Sequence, residues 1–133
     1  MTPLILAGAI LFTAALIFYS IGIWSDYLQK ELKPWHLWMF GLGVLTDTLG
    51  TLMMYLHVGH LIFTAHSISG FLGLFLMMFH FVWAFWVLSI MNQGGERAAA
   101  VQATFHKFSL FVWFFWLISY FSGLYLGISG LSS

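Results

Sequence analysis

The sequence of 133 residues has no cysteine and very little charge, and each shortage excludes a class of protein. Without cysteine the chain has no disulfide, no thiolate metal site and no cysteine nucleophile. Charged residues make up 6% of the chain, against roughly 25% in soluble domains. Four cations balance four anions, so there is no electrostatic basis for binding nucleic acid. Because 62% of the residues are hydrophobic, the sequence predicts an integral membrane protein in contact with lipid.

Four apolar runs are each long enough to cross a hydrocarbon core about 30 Å thick. They cover residues 4–24, 35–57, 65–91 and 103–130, approximately, with short polar or turn-forming breaks between them. We therefore expect one all-α domain over residues 1–133, an antiparallel bundle of four transmembrane helices. No Lys or Arg precedes Lys30, so the first span lacks the basic segment of a cleaved signal peptide and is expected to be retained.

The cations predict the orientation of the bundle. Lys30 and Lys33 lie in the first connection, and Arg97 and Lys107 lie in or beside the third. Both termini and the second connection have no cation. Positive charge collects on the cytoplasmic side of membrane proteins, so we expect both termini to lie outside.

Three histidines carry the main functional hypothesis. His66 and His80 are fourteen residues apart in one apolar segment, which is roughly 21 Å of helical rise on nearly one stripe. One small ion cannot bind both rings, but two haem groups at different depths can each take one of them. His80 and His106 flank the third connection at similar distances, which predicts that they are the axial ligands of one haem b near the cytoplasmic face.

A second pair of ligands is predicted on the outer side. His57 ends the second span and His66 begins the third, so these two rings are candidates for a second haem iron. His60 competes with His57 for this role. Alternatively, His57, His60 and His66 form a three-histidine site for zinc or copper.

Three further polar residues are open to two interpretations each. Asp47 lies about halfway through the second span, where it either relays protons or contacts a cofactor or quinone, or else makes a helix–helix hydrogen bond. Lys107 either pairs with a haem propionate or is an ordinary cytoplasmic charge. His36 is interpreted as a side chain at the membrane interface, or else as a contact to a propionate or quinone.

The spacing of His66 and His80 resembles the paired-histidine helix of transmembrane b-type cytochromes. Those proteins usually repeat the spacing on a partner helix, whereas Tyr120 stands fourteen residues after His106. The stretches 46–51, 66–80 and 105–123 resemble the HsmA family. That resemblance implies a small prokaryotic protein with four spans in the plasma membrane.

The sequence thus favours a membrane-embedded electron-transfer protein that binds haem b. It would be an oxidoreductase component that exchanges electrons with a quinone or a redox partner protein. Two haems are expected, with the cytoplasmic one better supported. The alternatives are a small protein that translocates protons or metal ions, for which a homodimer would complete the path, and an accessory subunit whose histidines only pack.

Overall fold

The computed structural model is all-helical over the residues it describes, which are 3–29, 31–59, 64–91 and 93–128. Each helix is long and apolar enough to cross a membrane. The helices are α1 (Pro3–Gln29), α2 (Pro34–Val58), α3 (Ala65–Met91) and α4 (Glu96–Ile128). The expected helical transmembrane bundle is confirmed at this level.

Two helices are longer than their apolar runs. α1 continues five residues beyond residue 24, and α4 begins at Glu96 rather than near residue 103. An apolar run ends where the membrane ends, but a helix continues as long as its backbone hydrogen bonds do. The alanines at 98–100 are strong helix formers, and an acidic residue suits the first turn. The expectation of a break that extends from residue 92 to residue 102 is therefore wrong, because α4 already includes residues 96–102.

The ends of α2 follow the sequence signals. Pro34 occupies the start of the helix after Lys33, whose backbone is extended with φ −116° and ψ 157°. At the other end Gly59 adopts a left-handed conformation with φ 88°, and its N–H donates to the carbonyl oxygen of Tyr55 at 2.8 Å. Glycine adopts that conformation without a steric penalty, so it ends the helix there.

The four helices form a ring in which each one contacts its neighbours in sequence, and α4 also contacts α1. The α1–α2 and α3–α4 contacts are the more extensive. Across the ring, within the described residues, no Cα atom of α1 comes within 8 Å of α3, and none of α2 within 8 Å of α4.

Large apolar side chains cover the outside of the ring, as contact with lipid tails requires. Among the most exposed are Ile10, Leu45, Phe75 and Phe111. The centre contains both apolar and polar side chains. The apolar ones include Tyr19, Phe40, Met77 and Phe105, each at most 1% exposed.

Candidate functional site

Among the residues that the structure describes, seven polar side chains are buried between the helices. In a bilayer such groups are costly unless they are bonded, so each marks a candidate site. They are Asp26, His36, Asp47, His80, His106, Ser109 and Ser119.

His106 is bound to a carboxylate from the first helix. Its Nδ1 lies 2.8 Å from Oδ2 of Asp26, which is 0% exposed. A carboxylate accepts hydrogen bonds, so Nδ1 of His106 is the donor and its other nitrogen, Nε2, points elsewhere in the core. Sequence reasoning missed Asp26 because it assigned residues 25–34 to a polar connection. In the structure α1 carries this carboxylate into the bundle.

His80 lies between α3 and α4 in an aromatic pocket. Its Nε2 is 2.6 Å from the hydroxyl oxygen of Ser109. The Phe105 ring stacks on the imidazole with centroids 4.9 Å apart, and Phe40 of α2 meets it edge-on at 4.6 Å. Phe105 and Ser109 are one helical turn apart and share the face of α4 that meets α3.

The structure brings His80 to the level of His106, but the two rings have different partners. His80 bonds across the α3–α4 contact, whereas His106 bonds across the α1–α4 contact. Each residue along a helix turns by about 100°, so His106 faces away from the side that Phe105 presents to His80.

His36 is buried in the bundle, not exposed at the interface. Its ring is 0% exposed, and its Nδ1 accepts a hydrogen bond from the backbone N–H of Lys33 at 2.9 Å. This bond satisfies one of the N–H groups left free where α2 begins. His36 lies one turn before Phe40, which packs against Gly22 of α1, so His36 faces the part of α1 that carries Asp26, the partner of His106.

Four buried atoms have no hydrogen-bond partner among the described residues, and each lies on a different helix. We call them the unpaired atoms. They are Asp26 Oδ1 of α1, His36 Nε2 of α2, His80 Nδ1 of α3 and His106 Nε2 of α4. In the described part of the chain no three His, Asp or Glu side chains are grouped so as to hold a metal ion. The unpaired atoms are therefore not one compact ion site.

Asp47 joins three helices near the middle of α2. Its Oδ2 accepts hydrogen bonds from Tyr19 Oη of α1 at 3.1 Å and from Trp116 Nε1 of α4 at 2.9 Å. The residue is 3% exposed, so the carboxyl group faces the interior as expected. The hydroxyl groups of Thr46 and Thr51 donate to backbone carbonyl groups of their own helix. The hydrogen bonding of the Asp47 carboxyl group is therefore explained without them.

The histidines predicted to lie on the outer side are in different surroundings. His66 Nδ1 lies 2.7 Å from the hydroxyl oxygen of Ser122 on α4. The His66 ring packs so closely against Gly123 that a Cβ added there would approach it to 2.9 Å. His57 is exposed in the last turn of α2, and His60 lies outside the described residues. Lys107 is exposed on α4 next to His106.

Comparisons with family models, with curated proteins and with solved structures find no match to this chain. The functional argument therefore depends on the side chains described above.

Proposed function

We propose that this protein is a membrane-embedded electron-transfer protein that binds haem b. One observation carries the proposal: His106 is held through its Nδ1–H by a buried carboxylate, while its Nε2 is an unpaired atom. Histidines that ligate metals usually have this arrangement, because a carboxylate on the second nitrogen fixes the ring and makes it a better ligand.

Two features of the bundle centre support an iron-bound macrocycle. His80 and His106 each keep one buried ring nitrogen without a partner among the described residues, and an axial ligand needs such a nitrogen. Phe40, Phe105 and Phe108 surround His80 with the apolar walls that a porphyrin requires. In this proposal His106 and His80 would hold the iron after their rings turn from the different helix contacts that they make here, and Lys107 would pair with a propionate. A bound haem supplies one-electron transfer.

A second haem at the outer side remains part of the proposal, with His66 and either His57 or His60 as its ligands. Support comes from the position of His66 between α3 and α4, where its Nδ1 lies against the Ser122 hydroxyl; its Nε2 would have to turn away from Gly123 to reach an iron. The cytoplasmic haem has the stronger support, because His80 and His106 are buried and His57 is exposed.

We further infer an antiparallel bundle in the plasma membrane of a prokaryote, with both termini outside. Support comes from contacts that pair Gly8 with Met54 and Gly22 with Phe40, so that the start of α1 meets the end of α2. The exposed Arg97 adds positive charge at the third connection. We propose a quinone or a redox protein as the partner.

The test of this function is the absorption spectrum of the protein purified from cells supplied with haem. We expect a Soret band and a low-spin, reduced-minus-oxidised b-type spectrum. His106→Ala should lose the low-spin form, and added imidazole should restore it by filling the vacated ligand position. Trp38→Phe, an exposed change on α2, is the control. A folded wild-type protein without a Soret band would refute the proposal.

A second candidate function is proton translocation, favoured by the central carboxyl group. Asp47 is buried at mid-membrane, where ionisable residues often mark ion pathways. Proton flux into liposomes that contain the wild-type protein, reduced in Asp47→Asn, would support it. Equal flux in liposomes with and without the protein would exclude it. In this alternative a homodimer would complete the path.

A further inference from the structure

The hydrogen position on His36 follows from its bond to the start of α2. A backbone N–H can only donate, so Nδ1 of His36, which accepts from Lys33, carries no hydrogen. The single hydrogen of the neutral ring is therefore on Nε2. This Nε2–H is a buried donor that has no acceptor among the residues described. His36 thus differs from His106, whose unpaired nitrogen carries a lone pair.

Asp26 provides the complementary acceptor. One of its oxygens, Oδ2, is bonded to His106, and the other, Oδ1, is buried and accepts from no described residue. Gly22 of α1 packs against Phe40 of α2. In this antiparallel register Asp26, one turn after Gly22, lies opposite His36, one turn before Phe40, so the unsatisfied donor and the unsatisfied acceptor belong to neighbouring residues across the α1–α2 contact. Buried polar groups without a hydrogen-bond partner cost free energy. Where two such groups are too far apart to bond directly, an ordered water molecule is their usual partner.

We infer that one buried water molecule bridges His36 Nε2–H and Asp26 Oδ1, and that His36 is thereby a positioning residue for His106. The water accepts from His36 and donates to Asp26, so both carboxylate oxygens are bonded. A cavity of about 240 Å³ lies beside the start of α2, where water can approach the residues that precede His36. Its lining includes Leu32, Lys33 and Pro34, the residues that lead into His36.

The consequence is a division of roles between two buried histidines. The lone pair on Nδ1 of His36 accepts the hydrogen bond from the Lys33 N–H at the start of α2. This ring therefore supports the site as a hydrogen-bond donor and not as a metal ligand. His106 keeps its Nδ1–H on a carboxylate that is fixed from both sides, and its Nε2 is the ligating atom. The bridge itself is independent of haem, but its effect on the iron rests on the proposed function.

The first test needs no haem. Nitrogen NMR of the haem-free protein in lipid nanodiscs should find hydrogen on Nε2 of His36 and on Nδ1 of His106. Infrared difference spectra in ¹⁸O-labelled water should contain an internal-water band that His36→Phe loses. His36→Gln, whose amide can accept from Lys33 and donate to water, should keep the band, as should Trp38→Phe. Hydrogen on Nδ1 of His36, or an unchanged band in His36→Phe, would overturn the inference.

The second test uses the haem-loaded protein. His36→Phe should keep the low-spin spectrum and shift the midpoint potential, whereas His106→Ala should lose the low-spin form. A high-spin spectrum in His36→Phe would make His36 a ligand and overturn the inference, although the proposed function would stand. A wild-type protein without haem would refute the proposed function, and the NMR and infrared results on the haem-free protein would then decide the bridge.

Discussion

At the scale of single residues, two buried carboxyl groups organise the bundle centre by accepting hydrogen bonds from side chains of other helices. Asp47 accepts hydrogen bonds from a tyrosine hydroxyl of α1 and a tryptophan indole of α4, and Asp26 accepts one from a histidine ring of α4. These bonds replace water, which the hydrocarbon core does not offer. Each carboxyl group therefore fixes the relative position of helices far apart in sequence.

Replacing Tyr19 with Phe should weaken the Asp47 contact without changing the shape of the side chain. Hydrogen bonds between membrane helices contribute about 0.6 kcal/mol on average and up to ~1.7 kcal/mol. We expect a loss in that range for Tyr19→Phe, measured as the free energy of unfolding in detergent or bicelles. Tyr125→Phe, a change to an exposed tyrosine of α4, should have no measurable effect. Equal stability of the two variants would contradict the importance of this bond.

Sequence reasoning found the residues that are polar inside an apolar run, and it missed those whose environment depends on distant partners. Asp47, His80 and His106 stand out in hydropathy and were identified. Asp26 is 80 positions from His106 and lies where the apolar run has ended. His36 is near a helix start, where the local sequence is the same for an exposed ring as for a buried one. Only the tertiary contacts distinguish these cases.

At the scale of helices, α1 and α2 come together because glycine removes a side chain at their contact. The ring of Tyr19 lies directly against Gly43, in space that a Cβ atom would occupy. This close approach holds the Tyr19 hydroxyl within reach of Asp47, one turn further along α2. A small residue at 43 is thus a condition for the central hydrogen bond.

Gly43→Ala should therefore be destabilising, although alanine is the better helix former. The added methyl group collides with a fully buried ring, and overpacking of this kind costs about 1–3 kcal/mol. Gly70→Ala on α3 is the matched control, because the nearest atom to its Cβ would be the Ser119 hydroxyl at 3.6 Å. We expect that control to be neutral or to gain up to ~1 kcal/mol. Thermal unfolding of both variants in one detergent measures the difference.

The number of helices and their approximate positions were predictable from hydropathy, but their ends were not. Hydropathy locates the lipid boundary, whereas α4 begins at Glu96 because alanine and an acidic first turn favour helix there. The pairing of Gly43 with Tyr19 was likewise hidden, since a glycine in a membrane span signals close approach without identifying what approaches.

At the scale of the whole molecule, the absence of cysteine makes the orientation directly measurable. Any thiol introduced by mutation is the only one in the chain. Glu31, Ala65 and Gln93 are exposed near the first, second and third connections, respectively. Each can therefore carry a label at a known end of a known helix pair.

Single variants Glu31→Cys, Ala65→Cys and Gln93→Cys should divide into two groups towards a membrane-impermeant maleimide. We expect Glu31→Cys and Gln93→Cys to react only from the cytoplasmic side, because the cations lie at those connections. Ala65→Cys should react only from outside. Intact cells and inverted vesicles provide the two directions, and the unmodified chain is the control. Reaction of all three from one side would contradict the orientation.

The hydrogen bond from Trp116 to Asp47 links two helices that lie diagonally across the ring and whose main chains stay apart over the described residues. It is therefore a tether across the axis. If the helices moved apart near Asp47 to admit an ion or a flat molecule, the hydrogen bond from Trp116 would break. The Asp47 oxygen Oδ2 would then lose one of its two donors. Opening the bundle would therefore also free a carboxyl oxygen of Asp47 to bind the ion or molecule that enters.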